Sequence, residues 1–190
     1  IQPFADLYLK NNLEIKPVVK AILLSDAFYS DTSFQNHVKS PVEYVVGSVK
    51  SLGGKVRERT LALALKQLGQ ELYNPPSVAG WPGGPAWLNA ASMLARFNFG
   101  ELLAGAAKNR PGPGDGYIDP EAFVHKLGAN SWDAVIDIFG GSLTAGLSSA
   151  TQSALKSYAG KSAGLKPQAL DTKLRGLIHL LMVSPEYQVA

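Results

Sequence analysis

The sequence predicts an all-α fold: an irregular domain of about seven to eight helices, with a loop rich in proline, glycine and tryptophan packed between helices. Apolar residues recur at helical spacing along nearly the whole chain. Residues that favour the first and last turns of helices stand at the ends of these stretches, and no two alternating apolar segments are joined by a hairpin turn. With 190 residues, of which 46% are hydrophobic, the chain is long enough to bury a core.

The clearest predicted helix begins after Ser40. Ser40 and Glu43 have the spacing of a capping box, in which each side chain accepts a hydrogen bond from a backbone amide at the start of the helix. Pro41 suits the first helical position, and Gly53 with Gly54 supplies a left-handed end. A run of valines favours a strand by propensity, but the apolar spacing and the two end signals favour a helix.

The other helices are predicted from similar signals. An apolar stripe predicts one helix through Leu61, Leu65, Leu68 and Leu72. Prolines or capping side chains that favour helix starts stand at Pro17, Asn89, Asp119, Ser131 and Pro167. Residues that favour helix ends stand at Gly128, Gly140, Gly141 and Pro185. The helix after Asn89 is predicted to carry its apolar stripe on Met93, Leu94, Phe97 and Leu102.

We expect a single helical domain over residues 1–190. The turn-rich run Arg-Pro-Gly-Pro-Gly-Asp-Gly predicts a connector over 108–116, which allows a subdivision into 1–107 and 117–190 around one shared core. The chain begins at Ile1 without a methionine and already inside an amphipathic pattern. We therefore expect a processed or truncated piece of a longer protein, with no signal peptide in this fragment.

Charge and composition exclude several classes of function. The chain has 18 Lys and Arg against 15 Asp and Glu, and the excess is spread thinly over residues 151–190. Such a dilute charge does not make a nucleic-acid surface, so we expect no nucleic-acid partner. No run of about 18 apolar residues is present, so we expect no membrane span. Without cysteine, the chain has no disulfide, thiolate metal site or cysteine nucleophile.

No catalytic motif is recognisable. The sequence lacks the serine elbow, the zinc-binding His-Glu-x-x-His motif, the phosphate-binding loop and the dinucleotide fingerprint. The histidines His37, His125 and His179 are far apart, and the acidic residues mostly stand at predicted helix starts, where they favour the helix dipole. We therefore predict no metal site and no cofactor, and the sequence favours a protein that is not an enzyme.

Residues 72–89, here called the aromatic loop, concentrate the unusual residues of the chain. They include four of the twelve prolines and two of the three tryptophans. Because proline fixes the backbone and glycine lets it bend, we expect a stiff loop. Either the tryptophans form a platform for a sugar or peptide ligand, or they fill the space between two helices. The candidate ligand-binding residues are Trp81, Trp87, Asn89, Arg96 and Asn98.

Four segments of the chain carry a family resemblance. They are 39–53, beginning Lys-Ser-Pro-Val-Glu; 68–89, which contains the aromatic loop, together with 94–98, Leu-Ala-Arg-Phe-Asn; 21–29, Ala-Ile-Leu-Leu-Ser-Asp-Ala-Phe-Tyr; and 181–187, Leu-Met-Val-Ser-Pro-Glu-Tyr. These segments are similar to the bacterial family known as domain of unknown function 1800, and residues 108–165 match it least. The resemblance implies a helical, often exported protein and the carboxy-terminal portion of a longer chain. It implies no activity, cofactor or catalytic residue.

Two hypotheses for function follow. The first is a non-enzymatic structural or interaction module of an exported bacterial protein, periplasmic or in the cell envelope. Its partner is the rest of its own longer chain or an envelope protein. The alternative is the carboxy-terminal part of a hydrolase or glycan-processing enzyme, in which the aromatic loop contributes to substrate binding. Buried rings at Trp81 and Trp87 favour a scaffold, whereas exposed parallel rings favour ligand binding.

Overall fold

The computed structural model describes residues 1–105, 117–129, 131–160 and 167–190. These ranges contain nine α-helices, two 3₁₀ helices and no strand beyond two isolated bridges. The predicted all-α class is confirmed, and the number of helices slightly exceeds the predicted seven to eight. The predicted connector 108–116 lies outside the described residues, so the subdivision that depends on it stays a prediction.

The two longest α-helices, α5 and α9, have 16 residues each and pack against each other. The α-helices are α1 (Gln2–Lys10), α2 (Ile15–Leu23), α3 (Pro41–Ser51), α4 (Glu58–Gln67), α5 (Ala90–Gly105), α6 (Pro120–Lys126), α7 (Trp132–Leu143), α8 (Ser149–Ala159) and α9 (Pro167–Met182). The 3₁₀ helices are Gly84–Leu88, within the aromatic loop, and Pro185–Gln188, after α9. None of these helices combines the length and the apolar composition needed to cross a membrane.

The chain forms two compact units, Ile1–Asn36 and His37–Ala190, here called the first and second units. In the first unit α1 packs against α2, and none of its residues is buried. In the second unit α9 packs against α5, α6, α7 and α8. Buried side chains from these helices and from α3 and α4 form one hydrophobic core, in which Leu103, Leu177 and Ile178 are almost fully enclosed.

Four of the predicted helix starts in the second unit are confirmed by their hydrogen bonds. At the start of α3 the Glu43 amide donates to Ser40 Oγ (3.3 Å), and the Ser40 amide donates to Glu43 Oε2 (2.7 Å), which is a complete capping box. Asn89, Asp119 and Ser131 accept amide hydrogen bonds in the same way at the starts of α5, α6 and α7. These bonds satisfy donors that a helix start leaves without partners.

The prediction that Gly140 and Gly141 end a helix is wrong, because α7 continues to Leu143. At Gly140 the helix backbone closely approaches the Leu147 side chain, since a Cβ there would lie 2.8 Å from Leu147 Cδ1. The sequence analysis also missed α8. Its start has an ordinary local signal, because the Ser148 hydroxyl accepts a hydrogen bond from the amide at the third helical position.

The buried face of α5 differs from the predicted one. Leu94 and Phe97 are exposed, at 61% and 37%, whereas the helix buries Phe99, Leu103 and Arg96. The apolar pattern missed this face because a charged residue lies at its centre.

Two predicted helix boundaries also differ from the structure. The helix expected to begin at Pro17 starts at Ile15, and α4 ends at Gln67, so Leu72 lies outside it. Boundaries are set by hydrogen bonds in the last turn, which an apolar pattern does not resolve.

Candidate functional site

The aromatic loop holds its two tryptophans in different environments. Trp87, in the 3₁₀ helix Gly84–Leu88, is buried and only 6% exposed. Its Cζ3 atom lies 3.8 Å from the place that a Cβ on Gly69 would take, and its carbonyl oxygen accepts a hydrogen bond from the Ser92 hydroxyl in α5 (2.6 Å). Trp81 is half-buried, and no ring contact joins it to Trp87 in the described chain. Trp87 therefore links the end of α4 to the start of α5.

The first half of the aromatic loop, residues 72–79, is entirely exposed. It leaves α4 in a tight turn, because the Asn74 amide donates to the Glu71 carbonyl (3.1 Å). The Glu71 carboxylate accepts hydrogen bonds from Lys66 Nζ (3.0 Å) and Asn74 Nδ2 (3.1 Å). Tyr73 lies inside the turn with φ of 63° and is 99% exposed, a conformation that costs an L-residue about 1–2 kcal/mol.

The two candidate asparagines are exposed and stand apart on α5. Asn89 caps the helix: its Oδ1 accepts from the Ser92 amide (3.0 Å), and its Nδ2 donates to the Ala86 carbonyl (3.1 Å). Asn98 follows Arg96 by two positions, which is about 200° around a helix. Asn98 is therefore exposed on the outer side of α5, while Arg96 is buried on the inner side.

Arg96 is fully buried, with 0% of its surface exposed. Its guanidinium donates from Nη1 to Gln188 Oε1 (3.2 Å) and from Nη2 to the Lys39 carbonyl (2.6 Å), and it lies over the Tyr44 ring, 4.8 Å from the centroid. The Nε donor has no hydrogen-bond partner, and no carboxylate forms an ion pair with Arg96 in the described part of the chain. Burial lowers the pKa of Arg96, but arginine stays charged. The core therefore holds a cation that is solvated by neutral groups.

Lys39 brings a second cation next to Arg96. Its Nζ donates to the Tyr187 carbonyl (3.0 Å) and more weakly to the Leu143 carbonyl (3.5 Å), and it lies 4.0 Å from the centroid of the Tyr187 ring. Partial burial and the charge of Arg96 lower the pKa of Lys39 to about 8, against the opposing effect of the Glu43 carboxylate. This amine therefore loses its proton at a lower pH than an ordinary lysine does.

Two buried tyrosines complete the arrangement. The Tyr44 hydroxyl donates to the carbonyls of Arg96 (3.0 Å) and Met182 (3.2 Å), and the Tyr187 hydroxyl donates to Ser48 Oγ (2.7 Å). The two rings meet edge to face, with centroids 5.4 Å apart. Burial raises the pKa of Tyr187 to about 12 and also raises that of Tyr44. Both phenols therefore remain neutral donors across the physiological pH range.

Lys39, Tyr44, Arg96, Tyr187 and Gln188, here called the Arg96 cluster, come from distant parts of the chain. Lys39 and Tyr44 flank the start of α3, Arg96 is in α5, and Tyr187 with Gln188 lies in the last 3₁₀ helix. The Lys39 amide also donates to the Gln188 carbonyl (2.9 Å). Three of the four segments that carry the resemblance thus meet at one place. Sequence reasoning found only Arg96, and the other four had no signal beyond their position in or next to those segments.

The Arg96 cluster joins three segments of the chain through hydrogen bonds. Most of its donors reach backbone carbonyls, Arg96 also bonds to Gln188, Tyr187 bonds to Ser48 Oγ, and no carboxylate belongs to the cluster. The one carboxylate nearby, on Glu43, lies 3.0 Å from His37 Nε2 in an exposed pair. Among the described residues, no group of three or more His, Asp or Glu side chains is placed to hold a metal ion.

The first unit presents an apolar surface instead of a polar site. Its exposed large hydrophobic residues are Ile1, Leu9, Leu13, Ile15, Val19, Ile22, Leu23, Leu24, Phe28, Tyr29 and Phe34. A shallow groove of about 530 Å³ lies on α2, lined by Lys16, Val19, Lys20, Leu23 and Leu24. The sequence analysis did not single out this surface, because the same apolar residues fit a buried helix face equally well.

The whole length of the chain matches one family description. A family model described as "Protein of unknown function (DUF1800)" matches residues 1–189. No curated protein and no solved structure matches the chain. The resemblance drawn from the sequence is therefore confirmed, and the position of the chain at the carboxy-terminal end of a longer protein stays a prediction.

Proposed function

The chain belongs to the DUF1800 family of proteins of unknown function, and from this premise we propose that it is a non-enzymatic interaction module of an exported bacterial protein. The first unit provides the surface that a partner contacts. The partner is another polypeptide segment, either the rest of a longer chain of its own or a protein of the cell envelope.

The observation that carries this proposal is the exposed apolar surface of the first unit. No side chain of Ile1–Asn36 is buried, and Ile1, Leu24 and Tyr29 are at least two-thirds exposed. Single exposed hydrophobic residues are ordinary, but eleven large ones within 36 residues support a site of association. Covering it would remove apolar area from water, at about 25 cal/mol for each Å².

The second unit supports the non-enzymatic part of the proposal. Its one buried charged side chain in the described ranges, Arg96, is fixed by Gln188 and the Lys39 carbonyl. The buried Trp87 packs at the end of α4. These residues stabilise the fold, and their roles there need no substrate.

A photo-crosslinking experiment tests the proposal. A photoreactive amino acid at Leu24, which is 68% exposed in the first unit, should form adducts with a defined polypeptide in intact cells of the source bacterium. The matched control is the same amino acid at Lys126, an exposed position at the end of α6. Adducts at neither position, or equal adducts at both, would contradict the proposal.

Export has its own test. Immunodetection in fractionated cells should find the protein in the periplasm or the cell envelope, as the resemblance implies. Recovery in the cytoplasmic fraction alone would contradict export while leaving the interaction proposal open.

Ligand binding by the aromatic loop stays a separate proposal, and Trp81 carries it because this ring is only half-buried. Titration with oligosaccharides should then shift the tryptophan fluorescence of the wild-type chain, and Trp81→Phe should remove the shift. No shift in the wild-type chain would count against both ligand binding and a glycan-processing role.

A further inference from the structure

Helix α2 has a second apolar side in addition to its contact with α1. The half-buried residues of α2 are Pro17, Val18 and Ala21. A second set of apolar residues lies on a different side of the helix, because its later members follow the first by four, seven and eight positions. Its members are Ile15, Val19, Ile22 and Leu23, and they are 67%, 45%, 39% and 44% exposed. Such spacing is what one helix presents to another when the two pack along their lengths.

The groove on α2 combines this apolar side with two positive charges. It is lined by Val19, Leu23 and Leu24 together with the side chains of Lys16 and Lys20. Lysine stems contribute apolar surface while the ammonium groups stay in water. Lys16 and Lys20 are one helical turn apart, and neither forms an ion pair within the described residues. A bound partner therefore needs apolar side chains against Val19, Leu23 and Leu24 and negative charges beside the two lysines.

We propose that α2 binds an amphipathic α-helix of another polypeptide, whose apolar stripe is flanked by carboxylates one helical turn apart. This inference rests on the proposed function, because it names the chemistry of the partner of the first unit. The nine residues of α2 extend over about 13 Å. A partner helix of about three turns covers that length and places two acidic residues opposite Lys16 and Lys20.

A partner helix fits the charges better than an anionic membrane surface. Glu14 and Asp26 are exposed at the two ends of α2 and offset the charges of Lys16 and Lys20. A membrane attracts a basic helix through the sum of its charges, and here that sum is zero. The attraction of a carboxylate that lies beside one ammonium group instead depends mainly on that local pair.

The test uses two synthetic helical peptides of 14 residues with the same leucine stripe. One carries glutamates and the other lysines at the flanking positions, and binding of each to the 190-residue chain is measured by fluorescence anisotropy. We expect the glutamate peptide to bind about tenfold more tightly, which corresponds to about 1.4 kcal/mol. In the double variant Lys16→Glu with Lys20→Glu the preference should reverse, and Val19→Asp should weaken both peptides.

Each contrary outcome is informative. Equal affinities, no binding of either peptide, or a preference that the double variant leaves unchanged would overturn the inference. Co-sedimentation with phosphatidylglycerol vesicles that Val19→Asp abolishes would assign the surface to a membrane, and concentration-dependent dimerisation would assign it to a second copy. Circular dichroism checks that the variants stay folded. If crosslinking at Leu24 captures a defined polypeptide but the peptides do not discriminate, the proposed function survives and only this inference fails.

Discussion

Arg96 sits in the core as a cation without a carboxylate partner in the described chain. Burying a charge is costly unless hydrogen bonds replace the lost water. Here Gln188 Oε1 and the Lys39 carbonyl supply them, and the face of the Tyr44 ring adds a cation–π contact. Because these partners are neutral, the guanidinium does not neutralise any charge. Its directional hydrogen bonds instead specify how the three segments pack together. The cost of removing it comes mainly from the partners that it leaves without donors.

Replacing Arg96 by alanine should therefore destabilise the second unit strongly. The change leaves Gln188 Oε1 and the Lys39 carbonyl without this donor and opens a cavity, so we expect a loss of about 3 kcal/mol in the free energy of unfolding. Urea unfolding followed by circular dichroism measures it. Asn98→Ala, on the exposed side of the same helix, is the matched control and should change stability by less than about 0.5 kcal/mol. Equal effects of the two substitutions would contradict the assigned role.

Lys39 should make the stability depend on pH in the alkaline range. Its pKa is about 8 in the folded protein and about 10.5 ordinarily, so between these values the unfolded chain binds more protons. Stability therefore rises as pH increases from about 8 to about 10. After allowance for its exposed part, we expect a gain of about 1 kcal/mol. Above about pH 10 the buried Tyr44 and Tyr187 act in the opposite direction, because their folded pKa values are raised.

Urea unfolding at a series of pH values measures this gain. Lys39→Met should remove the rise between about pH 8 and about pH 10, whereas the exposed Lys126→Met should leave it in place. A rise that persists in Lys39→Met would assign the titration to another group.

Helix α8 shows how one element depends on its neighbours at both ends. At its start, Glu186 accepts hydrogen bonds from the Ser148 amide (3.1 Å) and from Thr151 Oγ1 (2.9 Å). Although partial burial opposes the shift, these bonds hold the pKa of Glu186 at about 2. At its end, Lys173 Nζ from α9 donates to the carbonyls of Tyr158 and Ala159, where a cation favours the helix dipole. The side chains that bond to the two ends of α8 from outside it, Glu186 and Lys173, thus both follow it in the chain.

The packing of α8 on α9 depends on Gly176. A Cβ at this position would overlap the hydroxyl group of Tyr158, so Gly176→Ala should lower stability by about 1 kcal/mol despite the better helix propensity of alanine. In a Tyr158→Ala background the same substitution should instead stabilise by about 0.5–1 kcal/mol. A thermal double-mutant cycle measures this change of sign.

The matched control for Gly176 is Gly141. A Cβ at Gly141, in α7, would meet nothing within 4 Å, so Gly141→Ala should be stabilising in either background. Destabilisation of similar size at both glycines would show that the Tyr158 contact is not the cause.

The whole chain divides into units of very different burial. The first unit buries none of its side chains, whereas the second encloses a core that draws on seven of its α-helices. Because hydrophobic burial is the main favourable term in folding, the free energy of local unfolding should be lower in the first unit than in the second. Low local stability in the first unit agrees with the proposal that this unit binds a partner.

Hydrogen exchange should reveal this difference directly. Amides of α1 and α2 should exchange by local opening well before those of α3 and α9, whose inner side chains include the fully buried Tyr44 and Ile178. Exchange followed by mass spectrometry on the 190-residue chain measures it. Equal protection of the two units would contradict the burial argument.

Much of the helical architecture could be predicted because helix starts are local. Ser40 with Glu43, and Asp119 at α6, lie within three positions of the amides that they satisfy, so the residues themselves carry the information. The candidate site was predicted only in part. Arg96 was named as a ligand-binding residue, but its burial and its partners were not foreseen.

The partners of Arg96 lie 57 and 92 positions away in the chain, and no local pattern encodes such distances. For the same reason the buried side of α5 and the continuation of α7 through Gly140 were not found, whereas the missed helix α8 has a local start signal at Ser148. The residues alone determined the all-α class, the main helix starts and the family. Tertiary structure decided which sides are buried, because burial depends on segments that meet only after the chain has folded.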